Sequence, residues 1–242
     1  MSAPERAALF AALEATWPAA EVRRLGPWRL RRGAGGGKRV SAATLEGALD
    51  PATIPDAEAA MRDMGQAPLF MIRRGEDALD AALAARGYEI VDPVELYLAP
   101  VADIAAWSPQ NLGAFAIWEP LAIMRDIWAA GGIGPARVAV MQRAAGPKTA
   151  ILARQNDRAA GAAFVAIHGD IAMLHALEVP PEFRRLGVAR NILGKAGAWA
   201  QDTGAKWFSL VTTSGNLPAR ALFSGLGMRS VDNYHYRRKQ SG

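Results

Sequence analysis

The stretch "MLHALEVPPEFRRLGVARNILGKAGAWA", Met173 to Ala200, runs from an apolar strand through Pro180-Pro181 into an alanine-rich helical pattern. Two arginines and a glycine, Arg184, Arg185 and Gly187, stand at the handover. A helix N-terminus leaves backbone N–H groups without intrahelical partners and carries the positive end of the helix dipole. Set directly after a strand, with a glycine that admits close approach and guanidiniums beside it, such a terminus grips a pyrophosphate. An ordinary strand-to-helix turn with solvated arginines would use the same six residues "RRLGVA", so the surroundings decide between the two.

The chain has 242 residues, 51% hydrophobic and 21% charged, which suits a globular protein of one large or two small domains. It has no cysteine, which excludes disulfides, a thiol nucleophile and Cys-ligated zinc, and fits a cytoplasmic location. The histidines show no metal-ligand spacing, so no metal is expected. The N-terminus has no basic segment ahead of an apolar core, so no signal peptide is expected. The longest apolar stretch, residues 159–177, is broken by His168-Gly169-Asp170, which makes it a hairpin and not a membrane span. Residues 1–103 carry 12 basic against 15 acidic side chains, and residues 104–242 carry 16 against 8. The basic half suits an anionic ligand or a solvated basic face. No basic helix with interleaved aromatics is present, so nucleic acid is not an expected partner.

Hydrophobic periodicity and turn residues predict helices over 4–16, "IPDAEAAMRDMG" and "EDALDAALAARG", and strands at "WRLRR", "KRVSAAT" (around "GAGGG", 33–37) and "LFMIRR". "YEIVDPVELYLAP" reads as a strand pair or one bent strand, and Pro100 to Pro109 as a connector. The second half predicts helices at "LAIMRDIWAAG" and "PARVAVMQRAA", strands at 148–155, 160–168 and 170–179, and a long helix at 187–203. The strand "KWFSLVTT", a helix over 217–226 and the strand "MRSVDNYHYRRK" complete it. The class is α/β. "GAGGGKR" lacks the spacing and terminal Ser/Thr of a Walker loop and reads as a hairpin loop. Residues 78–98 and 219–239 share a helix–Gly–strand order, which fits either a duplicated fold with a degenerate first copy or a generic helix C-cap.

Arg184, Gly187 and Ala189 fill the pattern [Gln/Arg]-x-x-Gly-x-[Gly/Ala], and Leu177, Val179, Pro181 and Arg184 fill the strand form before it. Asn216, Ala219, Leu222 and Gly227 match an Asn-x-x-Ala-x-x-Leu-Tyr-x-x-x-Gly-Phe segment. Over these roughly 65 residues the chain resembles the GCN5-related N-acetyltransferase (GNAT) superfamily. The resemblance implies a GNAT fold, a mostly antiparallel mixed sheet flanked by helices, over 104–242; residues 1–103 share no such motif, and the repeat makes a degenerate GNAT-like domain the expectation there. The resemblance further implies that Arg184, Arg185, Leu186, Gly187, Val188 and Ala189 hold the pyrophosphate of acetyl-CoA. Leu177, Glu178 and Val179 would run beside the pantetheine arm, and Asn216 and Phe223 would lie near the thiol. The family's thiol-protonating tyrosine falls at Phe223, which has no proton to give; either Ser224, Tyr234, Tyr236 or water substitutes, or the thiolate leaves unprotonated.

Transfer to an amine requires a group that takes the amine's proton. A histidine, with an unperturbed pKa of about 6.5, suits that task. "LHALEV" resembles the strand of arylalkylamine N-acetyltransferases that carries such a histidine, which makes His175 the expected catalytic group, unless it is a core histidine. Strand alternation puts Met173, His175, Leu177 and Val179 on one face and Glu178, the second choice, on the other. Trp118, Trp128, Phe115 and Met124 are candidates for an acceptor-pocket wall or for core. The expected activity is acetyl-CoA-dependent N-acetyltransfer to a small amine or amino-acid-like acceptor by direct transfer in a ternary complex, in a monomer or homodimer. The alternative is an acyl-CoA-binding protein without turnover.

Overall fold

The computed structural model describes residues 2–109 and 113–239. The chain order opens with α1 (Arg6–Thr16), β1 (Glu21–Leu25), β2 (Trp28–Arg32), β3 (Thr44–Leu45), α2 (Ile54–Asp63), β4 (Leu69–Arg73), α3 (Asp77–Ala84), β5 (Glu89–Pro100) and α4 (Val101–Ala105). It continues with β6 (Ala114–Ile117), α5 (Ala122–Ala130), α6 (Pro135–Arg143), β7 (Lys148–Gln155), β8 (Arg158–His168) and β9 (Ile171–Glu178). The last elements are α7 (Val188–Asp202), β10 (Trp207–Thr213), α8 (Leu217–Gly225) and β11 (Arg229–Arg238).

Two compact units result, and their division is not the expected cut after residue 103. The first unit takes the chain up to Pro18, then Leu96–Val211 and Leu217–Val231; the second takes Ala19–Glu95, Thr212–Asn216 and the chain from Asp232 on. The N-terminal helix belongs with the C-terminal unit because α1 buries Leu9, Ala12 and Leu13 and packs on β8 and β9.

In the first unit the strand order is β5-β10-β9-β8-β7-β6. β6 to β9 are antiparallel neighbours, while β9 and β10 are parallel. Local chemistry sets this order. Asn156 and Asp157 both have positive φ and form the two-residue turn of the β7–β8 hairpin. A parallel pair needs a crossover, and α7 supplies it between β9 and β10. On one face Ile151, Val165 and Leu174 pack with Val188, Ile192 and Ala196 of α7. α7 also approaches α4 closely: a Cβ on Gly194 would lie 2.2 Å from the Trp107 carbonyl oxygen, and one on Gly197 would lie 2.8 Å from the Ala105 nitrogen. The expected connector 100–109 is therefore partly a helix, with Val101 and Ile104 buried. The opposite face carries α1 and α5, which pack on β8 and β9.

The second unit holds a three-stranded sheet β1-β2-β3 and the strands β4-β11-β5. Trp28, Ile54, Phe70 and Tyr88 form its core. "KRVSAAT" is not the expected strand: Lys38–Val40 is a 3₁₀ turn, and Gly33 leaves room for Ser41 because the loop folds back on itself. The hairpin partner of β2 is β1, across Gly26-Pro27. β11 is not an exposed edge, since β4 and β5 flank it. Tyr234 and Tyr236 are accordingly buried.

The recurring helix–Gly–strand order has a local cause. Tyr88 N–H bonds the Leu83 carbonyl and Met228 N–H the Phe223 carbonyl, both at 3.1 Å, around Gly87 and Gly227 with positive φ. Gly65, Gly132 and Gly204 end other helices with the same i to i−5 bond. Residues 78–98 and 219–239 thus share this helix ending.

Arg237 grips Asp80 through two bonds, Nε to Oδ1 at 2.7 Å and NH2 to Oδ2 at 2.8 Å, and His235 Nε2 meets Oδ1 at 2.6 Å. The Arg237 guanidinium, opposed by burial and helped by His235, holds the Asp80 carboxyl below its ordinary range. A depressed folded-state pKa contributes stability above the unfolded value, and that contribution is lost as pH falls through the folded value. Asp80→Asn is expected to destabilise the protein by about 1.5–3 kcal/mol at pH 7, the size of a charge-assisted hydrogen bond. In a pH series of denaturant unfolding, wild type and variant should converge at acid pH.

Candidate active site

The β9–β10 ladder ends at the pair Leu174–Leu210, before β9 itself ends at Glu178. Past that pair the two strands have no mutual pairing among the described residues, so the C-terminal part of β9 presents a backbone edge. On its other side β9 bulges against β8. Phe164 pairs with His175 and Ala162 with Glu178, so β9 has one residue more than β8 in this interval. Ala176, with φ 52°, absorbs it.

The bulge resets the alternation of side chains. Leu174, Leu177 and Val179 all lie against the core beneath α7. His175 and Glu178 lie on the other face: His175 meets Thr16 and Trp17, and Glu178 rests on the end of α5 at Gly131. The expectation that His175 shares a face with Leu177 and Val179, opposite Glu178, is therefore corrected. A strict period of two ignores the inserted residue.

His175 is buried, 4% exposed, between the rings of Trp17 at 5.0 Å and Phe164 at 6.2 Å. Its Nε2 lies 2.8 Å from Thr16 Oγ1, and the single Thr16 hydroxyl proton goes to the Ala12 carbonyl at 2.6 Å. Thr16 must then accept, so His175 donates through Nε2–H. Glu178 differs. Its carboxylate stands 3.6 Å from Arg184 NH2 and keeps 19% side-chain exposure. A Cβ on Gly131 would fall 2.4 Å from Glu178 Cδ, so this glycine makes room for the side chain. Burial raises the Glu178 pKa, and the Arg184 charge opposes the rise without cancelling it.

After β9, Arg184 turns back and donates through Nε to the Val179 carbonyl at 2.9 Å, bracing the strand end. Phe183 is buried with the Arg158 guanidinium 5.0 Å from its ring centre, which anchors the loop. Arg185 and Gly187 both have left-handed φ, 66° and 80°, and the chain turns sharply into α7. Gly187 is the N-cap and has no side chain to cap with, and the first bond of the helix is Asn191 N–H to its carbonyl. The first-turn N–H groups of Val188, Ala189 and Arg190 therefore face outward. Arg185, Leu186 and Arg190 are exposed around them, and Val188 roots the turn in the core. This arrangement fits a pyrophosphate.

Asn216 sits directly before α8, in the second unit, its N–H bonded to the Thr213 carbonyl at 3.0 Å. Phe223 is buried and packs edge-on against Tyr97, centroids 5.5 Å apart. Met124 and Trp128 are core, fully buried, and Trp128 Nε1 donates to the carbonyl of the bulged Ala176 at 2.8 Å. Phe115 is half-buried, while Trp118 is 37% exposed with the Lys148 ammonium 4.8 Å from its ring centre. His168 is an exposed strand end at the Gly169 turn. Sequence reasoning missed Thr16, Tyr97 and the Arg190–Trp107 contact at 5.5 Å. No local pattern marks them, since each acts across a large sequence separation.

The sequence model of the acetyltransferase (GNAT) family matches residues 121–228. That span contains the bulged strand, the turn at Gly187 and α8. Residues 121–228 form a GNAT domain. The chain as a whole is similar to N-acetyltransferases. It is 25% identical over 235 residues to a Bacillus subtilis (strain 168) protein named as the uncharacterized N-acetyltransferase YobR, covering 93% of this chain and 95% of that one. A GCN5-related N-acetyltransferase from Kribbella flavida shares the fold at a TM-score of 0.74 and 18% identity, over 98% of this chain and 95% of that one. A tandem GNAT protein from the clavulanic acid biosynthesis pathway does so at 0.61 and 13%, over 100% and 90%. Among the described residues no helix is long and apolar enough to cross a membrane.

Proposed function

We propose that the GNAT domain transfers the acetyl group of acetyl-CoA directly to a small primary amine or amino-acid-like acceptor, with Glu178 taking the amine's proton. The observation that carries this is the place of Glu178, on the face of β9 opposite Leu177 and Val179, resting on the end of α5 at Gly131. Donor and acceptor can then meet the strand from opposite sides.

Acetyl-CoA, when bound, supplies an activated acyl carbon. The chain's residues do the rest. The first-turn N–H groups of Val188 and Ala189, with Arg185 and Arg190 beside them, bind the pyrophosphate by charge and by donors that need no rearrangement. The unpaired edge of β9 at Leu177–Val179 aligns the pantetheine amides as a neighbouring strand would. An amine reacts only when neutral, and Glu178 with a raised pKa is a stronger base than an ordinary carboxylate. The chain has no cysteine to carry an acyl-enzyme, which favours direct attack within a ternary complex. His175, tied to Thr16, holds α1 on the acceptor face of β9.

Preferential binding of CoA to the folded chain should raise its melting temperature. In the same preparation, a panel of small amines and amino acids should release CoA thiol from acetyl-CoA. Absence of any melting shift at millimolar CoA would overturn the donor assignment. A shift with no thiol release from any amine would overturn the acceptor class.

A further inference from the structure

The first arginine of the turn into α7 points back along the chain, toward the strand it follows. We propose that Arg184 is a positioning residue for the acceptor's base: its guanidinium fixes the Glu178 carboxylate against the end of β9, supplies the positive charge beside it, and takes no part in holding the pyrophosphate. The proposal rests on the reading of Glu178 given above and adds the residue through which that carboxylate is set.

The turn sends this side chain backwards. Pro180 and Pro181 start a single 3₁₀ turn, closed by Phe183 N–H to the Pro180 carbonyl at 2.9 Å and Arg184 N–H to the Pro181 carbonyl at 3.2 Å. Phe183 is buried, and Arg184 leaves the turn extended, at φ −70° and ψ 153°. One edge of its guanidinium then meets β9 twice. Nε donates to the Val179 carbonyl at 2.9 Å, and NH2 lies 3.6 Å from Glu178 Oε1. A planar guanidinium offers two donors along one edge in a fixed geometry, which an ammonium does not. The far side of the carboxylate is set by α5, since Oε2 lies 2.6 Å from where a Cβ on Gly131 would stand. With Oε1 facing Arg184, Oε2 is the atom left for the amine's proton.

Around Glu178, α5 brings Gly131, β8 brings Ala162, and the loop brings Arg184, the charged group among the described residues that acts on the carboxylate. Burial raises the Glu178 pKa, and the Arg184 charge limits the rise. Without that charge burial acts alone, and the carboxylate takes up its proton at a higher pH. The Arg184 side chain is 58% exposed, so dissolved salt screens the pair.

The test follows kcat against pH, at saturating acetyl-CoA and with an amine that wild type accepts, in wild type, Arg184→Met, Arg184→Lys and Glu178→Gln. Arg184→Met keeps the aliphatic stem and removes the charge. Its acidic limb should move to higher pH, and at a fixed pH on that limb kcat should fall about 2- to 5-fold, the range of an ion pair in contact with water. Arg184→Lys restores the charge and should return the limb toward wild type. Raising salt from about 0.01 to about 1 M shortens the screening length from about 30 to about 3 Å. The wild-type limb should then move to higher pH, while that of Arg184→Met stays. The melting shift with CoA should be near wild type in both arginine variants. An arginine that only braced the loop would change the melting temperature and leave the pH and salt dependence untouched. The proposal is overturned if the limbs of wild type and Arg184→Met coincide at low salt, or if Arg184→Met loses the CoA melting shift, which would make the arginine a pyrophosphate ligand. Should Arg184→Met not fold, a wild-type limb that ignores salt overturns it equally. A limb that persists in Glu178→Gln would instead overturn the reading of Glu178 on which the proposal rests.

Discussion

Replacing Glu178 by glutamine is expected to lower kcat by about 10²- to 10⁴-fold, the range associated with a positioned general base. Glutamine matches the shape that lies over Gly131, so packing at the end of α5 should survive. CoA affinity should stay close to wild type, since only a proton acceptor is removed. Wild type should show an acidic limb in its pH–rate profile with an apparent pKa above the ordinary glutamate value of 4.5, because burial disfavours the charged form. Rate falls below that pKa, where the carboxylate is protonated and can accept nothing, and the limb should vanish in the variant. His175→Ala provides the contrast. It breaks the tie to Thr16 and empties a space between Trp17 and Phe164, so the expected loss is stability, about 1–3 kcal/mol. Should His175→Ala abolish the limb while Glu178→Gln keeps it, the base is the histidine.

That contrast marks where the sequence stops being informative. A period of two along Met173 to Val179 assigns His175 and Glu178 to opposite faces, and one residue, Ala176 at φ 52°, reverses the result. Alanine carries no signal for a left-handed conformation, so the bulge is invisible until β8 is laid beside β9. The turn at Gly187 is the opposite case. Its glycine, the arginines before it and the helical pattern after it are contiguous, and the structure builds from them a left-handed N-cap with outward N–H groups.

The fold divides along the same line. Hairpin strands and amphipathic helices follow from local pattern, and β7, β8, β9, α7, β10 and α8 lie within a few residues of their expected bounds. β6 is missed because "AFAI" is too short to show a period, and β1 because Glu21–Leu25 is largely exposed. Membership of α1 in the C-terminal unit depends on contacts across some 160 positions, such as Thr16 with His175. Tyr97 escapes for the same reason: its ring meets Phe223 from a strand more than a hundred residues earlier.

Gly187→Glu is expected to abolish binding of CoA while leaving the fold largely intact. At a free concentration of 100 times Kd, a ligand stabilises the folded state by about 2.7 kcal/mol, and this increment should disappear. Two effects of the substitution have to be separated. Gly187 has φ 80°, so any L residue there carries strain of about 1–2 kcal/mol. Space is not limiting, since the nearest atom to a Cβ is Arg190 NH2 at 3.7 Å. Gly187→Ala carries the same strain without the charge and should keep a reduced CoA shift. The glutamate adds a carboxylate at the positive end of α7, within reach of Arg190, where it stabilises the helix terminus while competing for the donors that a pyrophosphate would use. The variant should therefore melt near the alanine variant without ligand and fail to respond when CoA is added. Equal CoA shifts in wild type, alanine and glutamate variants would place the pyrophosphate elsewhere, and the outward N–H groups of α7 would then have no part in holding the donor.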